Sequence, residues 1–300
     1  MNDKTAWERQ CLIREKNRPT VNDYIPLIFE EFYELHGDRH YGDDAALMGG
    51  IARIDGMPVT VLAEVKGRDL NENKKTNFAM PHPEGYRKAL RLAKQAEKFQ
   101  RPVICFIDSP GAFCGIEAEE RGQGEAIAKN IMEFMRLKTP VTSVVLGKAG
   151  SGGALALGVC DRLAMLENAL YSVISPRGCA SILWKDASKE QEACEVLKMT
   201  AEDMVEFGIA EAIIDEPNGS AHYDVYKIAE NIKEYKITAE ELKKMLMKES
   251  DYNDKLAYNP SILIDFVNRV FISYYAEPES FEAFVPDGWI GKYQDFTEEI

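Results

Sequence analysis

Short continuous apolar runs alternate with longer amphipathic stretches through the middle of this chain, as strands buried on both faces do when helices cover them. Pro102–Ile107 and Pro140–Leu146 are two such runs. Before them, Gly50–Gly56 and Pro58–Val65 read as β runs hinged at Asp55-Gly56 like a hairpin. Pro83-Glu84-Gly85-Tyr86 opens a helical pattern that continues to Phe99, and a further helix is expected from about Glu117. Asp23–Leu35 carries its apolar residues at helical spacing, which predicts a helix there and makes residues 1–45 an N-terminal helical arm. After the second apolar run, Arg162–Leu166 and Leu170–Ile174 read as short strands separated by Glu167-Asn168-Ala169, and Ser175–Trp184 as a strand-to-helix joint. Helices are expected over Glu190–Lys198, Ala201–Phe207, His222–Tyr235 and Ile237–Glu249. The pattern divides the chain into the arm, an α/β unit over residues 46–236, and a helical C-terminal extension and tail over 237–300.

Both central runs end in turns of small residues. Asp108-Ser109-Pro110-Gly111-Ala112 follows the first, and Gly147-Lys148-Ala149-Gly150-Ser151-Gly152-Gly153-Ala154 follows the second. Parallel strands place the two turns at one edge of the sheet, where open α/β sheets bind ligands. Glycines around Ser151 leave main-chain N–H groups unshielded, and a helix beginning near Gly152 adds the positive end of its dipole. Such a turn suits a developing oxyanion, with Gly152 and Gly153 as the donors. The same residues also serve where a helix must simply pack close to a strand. A third alternative follows from Ala149-Gly150-Ser151-Gly152-Gly153, which approaches the nucleophile elbow of serine hydrolases; Ser151 would then need His82 or His222 as its base.

Composition narrows the field. The 300 residues carry a net charge of −14, which argues against a nucleic-acid surface. Apolar residues make up 45% of the chain, yet no run approaches a membrane span, and the charged N-terminus is unlike a signal peptide. A cytoplasmic protein without a membrane partner is expected. The six cysteines lie singly, without a C-x-x-C pair, so neither a disulfide framework nor a metal site is expected in this chain. Trp7 and Trp184 are read as packing anchors. Arg87, Lys88 and Arg91 share one helix, either as a solvated face or as partners for phosphates.

Several longer stretches resemble one family. Gly37-Asp38-Arg39-His40-Tyr41-Gly42-Asp43-Asp44, Met48–Arg53, Met80–Leu92, Gly115–Asn130, Gly150–Ala156, Tyr171–Pro176 and Gly178–Lys185 are similar, in order, to the α subunit of the bacterial acetyl-CoA carboxylase carboxyltransferase. The resemblance spans roughly Trp7 to Tyr235. It implies a crotonase/ClpP-like fold of repeated ββα units. It also implies transfer of a carboxyl group from carboxybiotin, held on a biotin carboxyl carrier protein, to acetyl-CoA, giving malonyl-CoA for fatty acid biosynthesis. The implied partners are a zinc-containing β subunit in an α2β2 assembly and biotin carboxylase. Gly152 and Gly153 become donors to the biotin ureido oxygen. Gly111, Ala112, Gly150, Ser151 and Ala154 become substrate-binding residues around it.

The chain also departs from that pattern. Lys148 stands where the family has Glu, Ala149 where it has Gly, and Arg177 where it has Glu. The family's Gly-His-Gln-Lys-Gly is Ala63-Glu64-Val65-Lys66-Gly67 here, and its Asn-Phe-Gly-Met-Pro is Asn77-Phe78-Ala79-Met80-Pro81. Ala149 would be strained if its position required positive φ. These changes leave open a divergent paralogue that acts on another acyl-CoA or serves as a structural subunit.

Overall fold

The structure is a computed structural model and describes residues 4–235. The expected helix Ile237–Glu249 and the tail after it lie outside the described residues. In chain order the elements are α1 (Ala6–Leu12), α2 (Val21–Ile28), β1 (Glu31–Glu34), β2 (Leu47–Ile54), β3 (Met57–Glu64), α3 (Leu70–Lys75), α4 (Pro83–Lys98) and β4 (Val103–Ser109). Then come α5 (Ile116–Glu120), α6 (Gln123–Phe134), β5 (Val141–Gly150), α7 (Ser151–Gly158), β6 (Arg162–Leu166) and β7 (Leu170–Ser172). The described part closes with α8 (Pro176–Leu183), α9 (Glu190–Val196), α10 (Ala201–Glu206), β8 (Ala212–Ile214) and α11 (Val225–Glu234).

One sheet runs in the order β1-β2-β3-β4-β5-β6-β8, with β7 also paired to β5. The predicted hairpin is present: β2 and β3 are antiparallel around the Asp55-Gly56 turn. From β3 onward every pairing is parallel. All residues of β4 are buried, which is why these strands read as unbroken apolar runs. The core wraps both sides of β3, β4 and β5 and takes in Leu92 and Tyr86 from α4, Ala126 from α6, and Ala154 and Leu157 from α7.

Two expectations need correction, and one pairing the sequence left open is settled. The helix predicted over Asp23–Leu35 stops at Ile28, and Glu31–Glu34 forms an edge strand against β2. Pro26 removes one backbone donor from α2, and the free edge of β2 supplies partners that a longer helix would forgo. The helix expected from Glu117 is two helices, because Gly122 sits in a left-handed conformation between α5 and α6. Strands β6 and β7 do not form a pair. Both run parallel along β5, β6 beside Thr142–Val145 and β7 beside Lys148–Gly150.

The arm is built into the fold. Tyr24, Val21 and Ile28 of α2 are buried in the main core. A second cluster joins Ala6 and Ile13 to Leu170, Cys179, Cys194 and Met199, with Trp7 and Trp184 packed against it as expected anchors. Arg18 is fully buried, bonds Glu216 at 2.7 Å and donates to the Leu146 carbonyl at 2.8 Å. Arg87, Lys88 and Arg91 of α4 are engaged within the chain rather than left free for phosphate. Arg87 holds Asp38 at 2.8 Å, Arg91 donates to the Gly37 carbonyl at 3.1 Å, and the buried Lys88 holds Asp43 at 2.5 Å. Together they clamp the Gly37–Asp44 loop, whose Asp38 also accepts the N–H groups of His40, Tyr41 and Gly42.

Candidate functional site

Strands β4 and β5 end side by side. Their pairing slips after Ile107, so that Ser109 lies opposite Ala149 and the two turns face each other. Asp108 fixes this junction: its Oδ1 accepts the Lys148 N–H at 2.9 Å. A Cβ at Gly147 would stand 2.5 Å from that same oxygen, so only glycine leaves room for the carboxylate. Ser109 Oγ accepts the Gly111 N–H at 3.0 Å and donates to the Gly111 carbonyl at 2.9 Å, which tightens the turn after β4. Gly111 has φ of 138°, a conformation open to glycine.

The turns are in close contact through their glycines. A Cβ on Gly150 would lie 2.2 Å from the Pro110 carbonyl oxygen, and one on Gly153 would lie 2.7 Å from the Ala112 N. Gly111, Ala112, Gly150 and Gly153 are therefore brought together as the sequence predicted. Ser151, Gly152 and Gly153 open α7, so their N–H groups have no acceptor inside the helix, and no side chain caps them. Close packing and unsatisfied amides thus coexist here. Contact between the turns is what holds the uncapped amides beside the Gly111-Ala112 wall.

Other predicted residues take different places. Gly152 faces α6, where its Cβ would meet Ile127 Cγ2 at 3.3 Å. Ala154 is fully buried in the core and backs the turn rather than lining it. Ala149 is buried in strand β5 without positive φ; the strained residue is Ser151, at φ 52°. Ser151 is exposed, and neither candidate base reaches it: His82 Nδ1 pairs with Asn77 Nδ2 at 2.8 Å, and His222 Nδ1 pairs with Ser220 Oγ at 2.5 Å. A hydrolase triad is not assembled.

Two ionisable residues lie against the junction. Burial pushes the Lys148 ammonium down to about 8, with Arg14 and Lys66 adding repulsion against the opposing pull of Asp108 and Glu190. Glu64, at the end of β3, is fully buried without a well-formed hydrogen bond to either oxygen, the Asp108 backbone N–H giving it only weak support. Burial, reinforced by the nearby Asp108 charge, holds its carboxyl well above the usual range. Sequence reasoning recorded Glu64 only as a departure, since burial at a strand end is not visible in a composition of mixed residues.

A further feature falls on one of the departures noted in the sequence, where Ala79 replaces the family's glycine. Asn77, Phe78 and Ala79 are consecutive residues with φ of 47°, 57° and 60°, a left-handed turn made without glycine. It packs on β4. The Phe113 N–H donates to the Pro81 carbonyl at 3.0 Å, and Gln123 Nε2 bridges the carbonyls of Pro81 and Phe113 at 2.9 and 2.8 Å. His82 stacks on Phe113 with ring centroids 4.2 Å apart. The segment 77–82 is thereby fastened to the wall of the cleft.

No helix among the described residues is long and apolar enough to cross a membrane, and no cluster of His, Cys, Asp and Glu among them is arranged to hold a metal. Among solved structures, the chain is similar to the transcarboxylase 12S core, with a TM-score of 0.60 and 21% identity over 77% of this chain and 45% of that one, a likeness of fold. That likeness bears out the crotonase-like architecture. The acetyl-coenzyme A carboxylase carboxyl transferase subunit alpha of Clostridium acetobutylicum is 58% identical over 230 residues, covering 77% of this chain and 84% of that one. A Clostridium tetani protein named for carboxyl transferase subunits beta/alpha is 56% identical over 231 residues, 77% of this chain and 40% of its own length. Residues 1–257 match the family described as acetyl co-enzyme A carboxylase carboxyltransferase-like, and the chain belongs to that family.

Proposed function

We propose that this chain is the α subunit of a biotin-dependent carboxyltransferase that converts acetyl-CoA to malonyl-CoA in the cytoplasm for fatty acid biosynthesis. In this reading residues 46–236 form the carboxyltransferase unit. A zinc-containing β subunit completes the cleft in an α2β2 assembly, and carboxybiotin arrives on the biotin carboxyl carrier protein after biotin carboxylase has loaded it. The single observation that carries the reading is the set of uncapped amides at Gly152 and Gly153, held beside the small-residue wall Gly111-Ala112.

The arrangement fits a flat ureido ring. Gly111 and Ala112 present little bulk, Gly150 and Ser151 continue the rim, and Ala154 backs it from the core. Gly152 and Gly153 would hold the ureido oxygen of carboxybiotin, and the start of α7 would add its dipole to favour negative charge there. Bound in this way, carboxybiotin would supply the carboxyl group and the base for the acetyl methyl. No side-chain base is required, which agrees with a junction whose acids are engaged elsewhere: Asp108 holds a backbone amide and Glu64 is buried.

The test is carboxyl transfer from carboxybiotin by this chain purified with candidate β subunits, comparing acetyl-CoA with longer acyl-CoAs. Turnover with acetyl-CoA is expected. A complex that forms yet turns over none of them would overturn the reading.

A further inference from the structure

The left-handed turn at 77–79 is the most strained stretch of backbone beside the cleft. Left-handed residues without glycine are costly because Cβ crowds the carbonyl, and here three follow one another. Phe78 is 48% exposed, whereas Ala79 is buried. Strained backbone of this kind concentrates at active sites and ligand clamps.

The surroundings say which ligand. The turn packs on β4, the strand that leads into Gly111-Ala112. Its position is set from both sides: Ala79 N–H donates to the Thr76 carbonyl at 2.9 Å, Met80 N–H to the Asn77 carbonyl at 3.1 Å, and Asn77 Nδ2 reaches His82 at 2.8 Å. His82 in turn stacks on Phe113, one residue beyond the wall. Phe78 thus stands on a segment that Pro81 and His82 tie to Phe113, one residue beyond the wall assigned to the ureido ring. We propose that Phe78 is a substrate-contacting residue whose ring packs on the apolar flank of biotin's fused ring system and sets how tightly that ring is held. This rests on the function proposed above and adds a residue to it.

The experiment uses the assembled complex with its β partner and runs the reaction backwards. Malonyl-CoA gives its carboxyl to biocytin, and acetyl-CoA release is followed. Phe78→Ala is expected to raise the KM for biocytin about tenfold while leaving the KM for malonyl-CoA within about twofold, and Phe78→Tyr should restore it. Phe78→Gly removes ring and strain together, so it should raise the Tm and still show the weakened biocytin KM. An unchanged biocytin KM in Phe78→Ala, or an equal rise for both substrates, would overturn the role of Phe78. Absence of biocytin carboxylation by the wild-type complex would instead overturn the proposed function, and this inference with it.

Discussion

The backbone N–H of Lys148 donates to Oδ1 of Asp108 across 2.9 Å, tying the last turn of one parallel strand to the approach of the next. Because the bonded amide lies just before the glycine turn, its loss should be felt at Gly152 and Gly153. Asp108→Ala leaves that amide unsatisfied and should cost about 1–3 kcal/mol in urea denaturation. Asp108→Asn keeps an oxygen at the position and should cost less. Carboxyl transfer should fall in the same order, and equal losses in both variants would show that the carboxylate charge rather than its hydrogen bond matters.

Gly152 and Gly153 are predicted to differ sharply. A Cβ at Gly152 would meet only the end of Ile127, at 3.3 Å, so Gly152→Ala should fold with a Tm close to wild type. A Cβ at Gly153 would meet backbone atoms of Gly111 and Ala112 at 2.7–2.8 Å, which cannot swing aside. Gly153→Ala should therefore displace the wall and lose about 1–3 kcal/mol of stability. Its transfer rate should drop by about 10²–10³, as when an oxyanion donor is misplaced. Thermal melts and single-turnover assays on the two variants check the contrast.

Ser151 is a rim residue without a base. Ser151→Ala should keep carboxyl transfer within about threefold, since nothing in a donor mechanism uses its hydroxyl. Loss of all activity would bring back a nucleophilic role.

Much of the central fold was legible because period and burial coincide there. The buried strands β4 and β5 show as unbroken apolar runs, and α4 as an amphipathic one. Edge strand β1 reads as helix because Phe29, Phe32 and Leu35 recur every three residues, a helical spacing rather than the alternation of a strand. Strand β8 has three residues and no pattern to detect. The site's glycines were legible because a backbone approach demands them. What they approach was not, since Asp108 meets Lys148 across 40 positions in the chain. The cations of α4 were misassigned for the same reason: their acids lie 45 to 49 residues away, in a loop that reads as polar. Ala149 would be strained only at positive φ, and the positive φ falls two residues later, at Ser151.

Glu64 should make stability depend on pH. Its folded pKa lies above the ordinary 4.5, so below that value both states hold the proton and no penalty exists. As pH rises further, the unfolded chain ionises first and stability is lost. Glu64→Gln removes the titration while keeping the shape. Its Tm relative to wild type should climb steadily between about pH 4 and 7. A difference that stays flat across that range would mean Glu64 ionises normally, with a counter-charge that burial does not reveal.

Lys148 predicts the opposite trend. Its folded value, about 8, lies below the ordinary 10.5, because burial and the charges of Arg14 and Lys66 outweigh Asp108 and Glu190. Below about pH 8 the amine is charged in both states and the penalty is fully present. Above it the folded protein releases its proton first, and the deficit fades by about pH 10.5. Lys148→Met keeps the length of the side chain and removes the charge. It should stabilise the protein by about 1–3 kcal/mol at pH 7, the gain shrinking as pH rises. Lys148→Glu places an acid between Arg14 and Lys66 and should also raise the Tm at neutral pH, with the gain falling in high salt. Should both variants melt below wild type at pH 7, the ammonium must have a counter-charge in solution, and the β subunit, added to the melt, is where it would be sought.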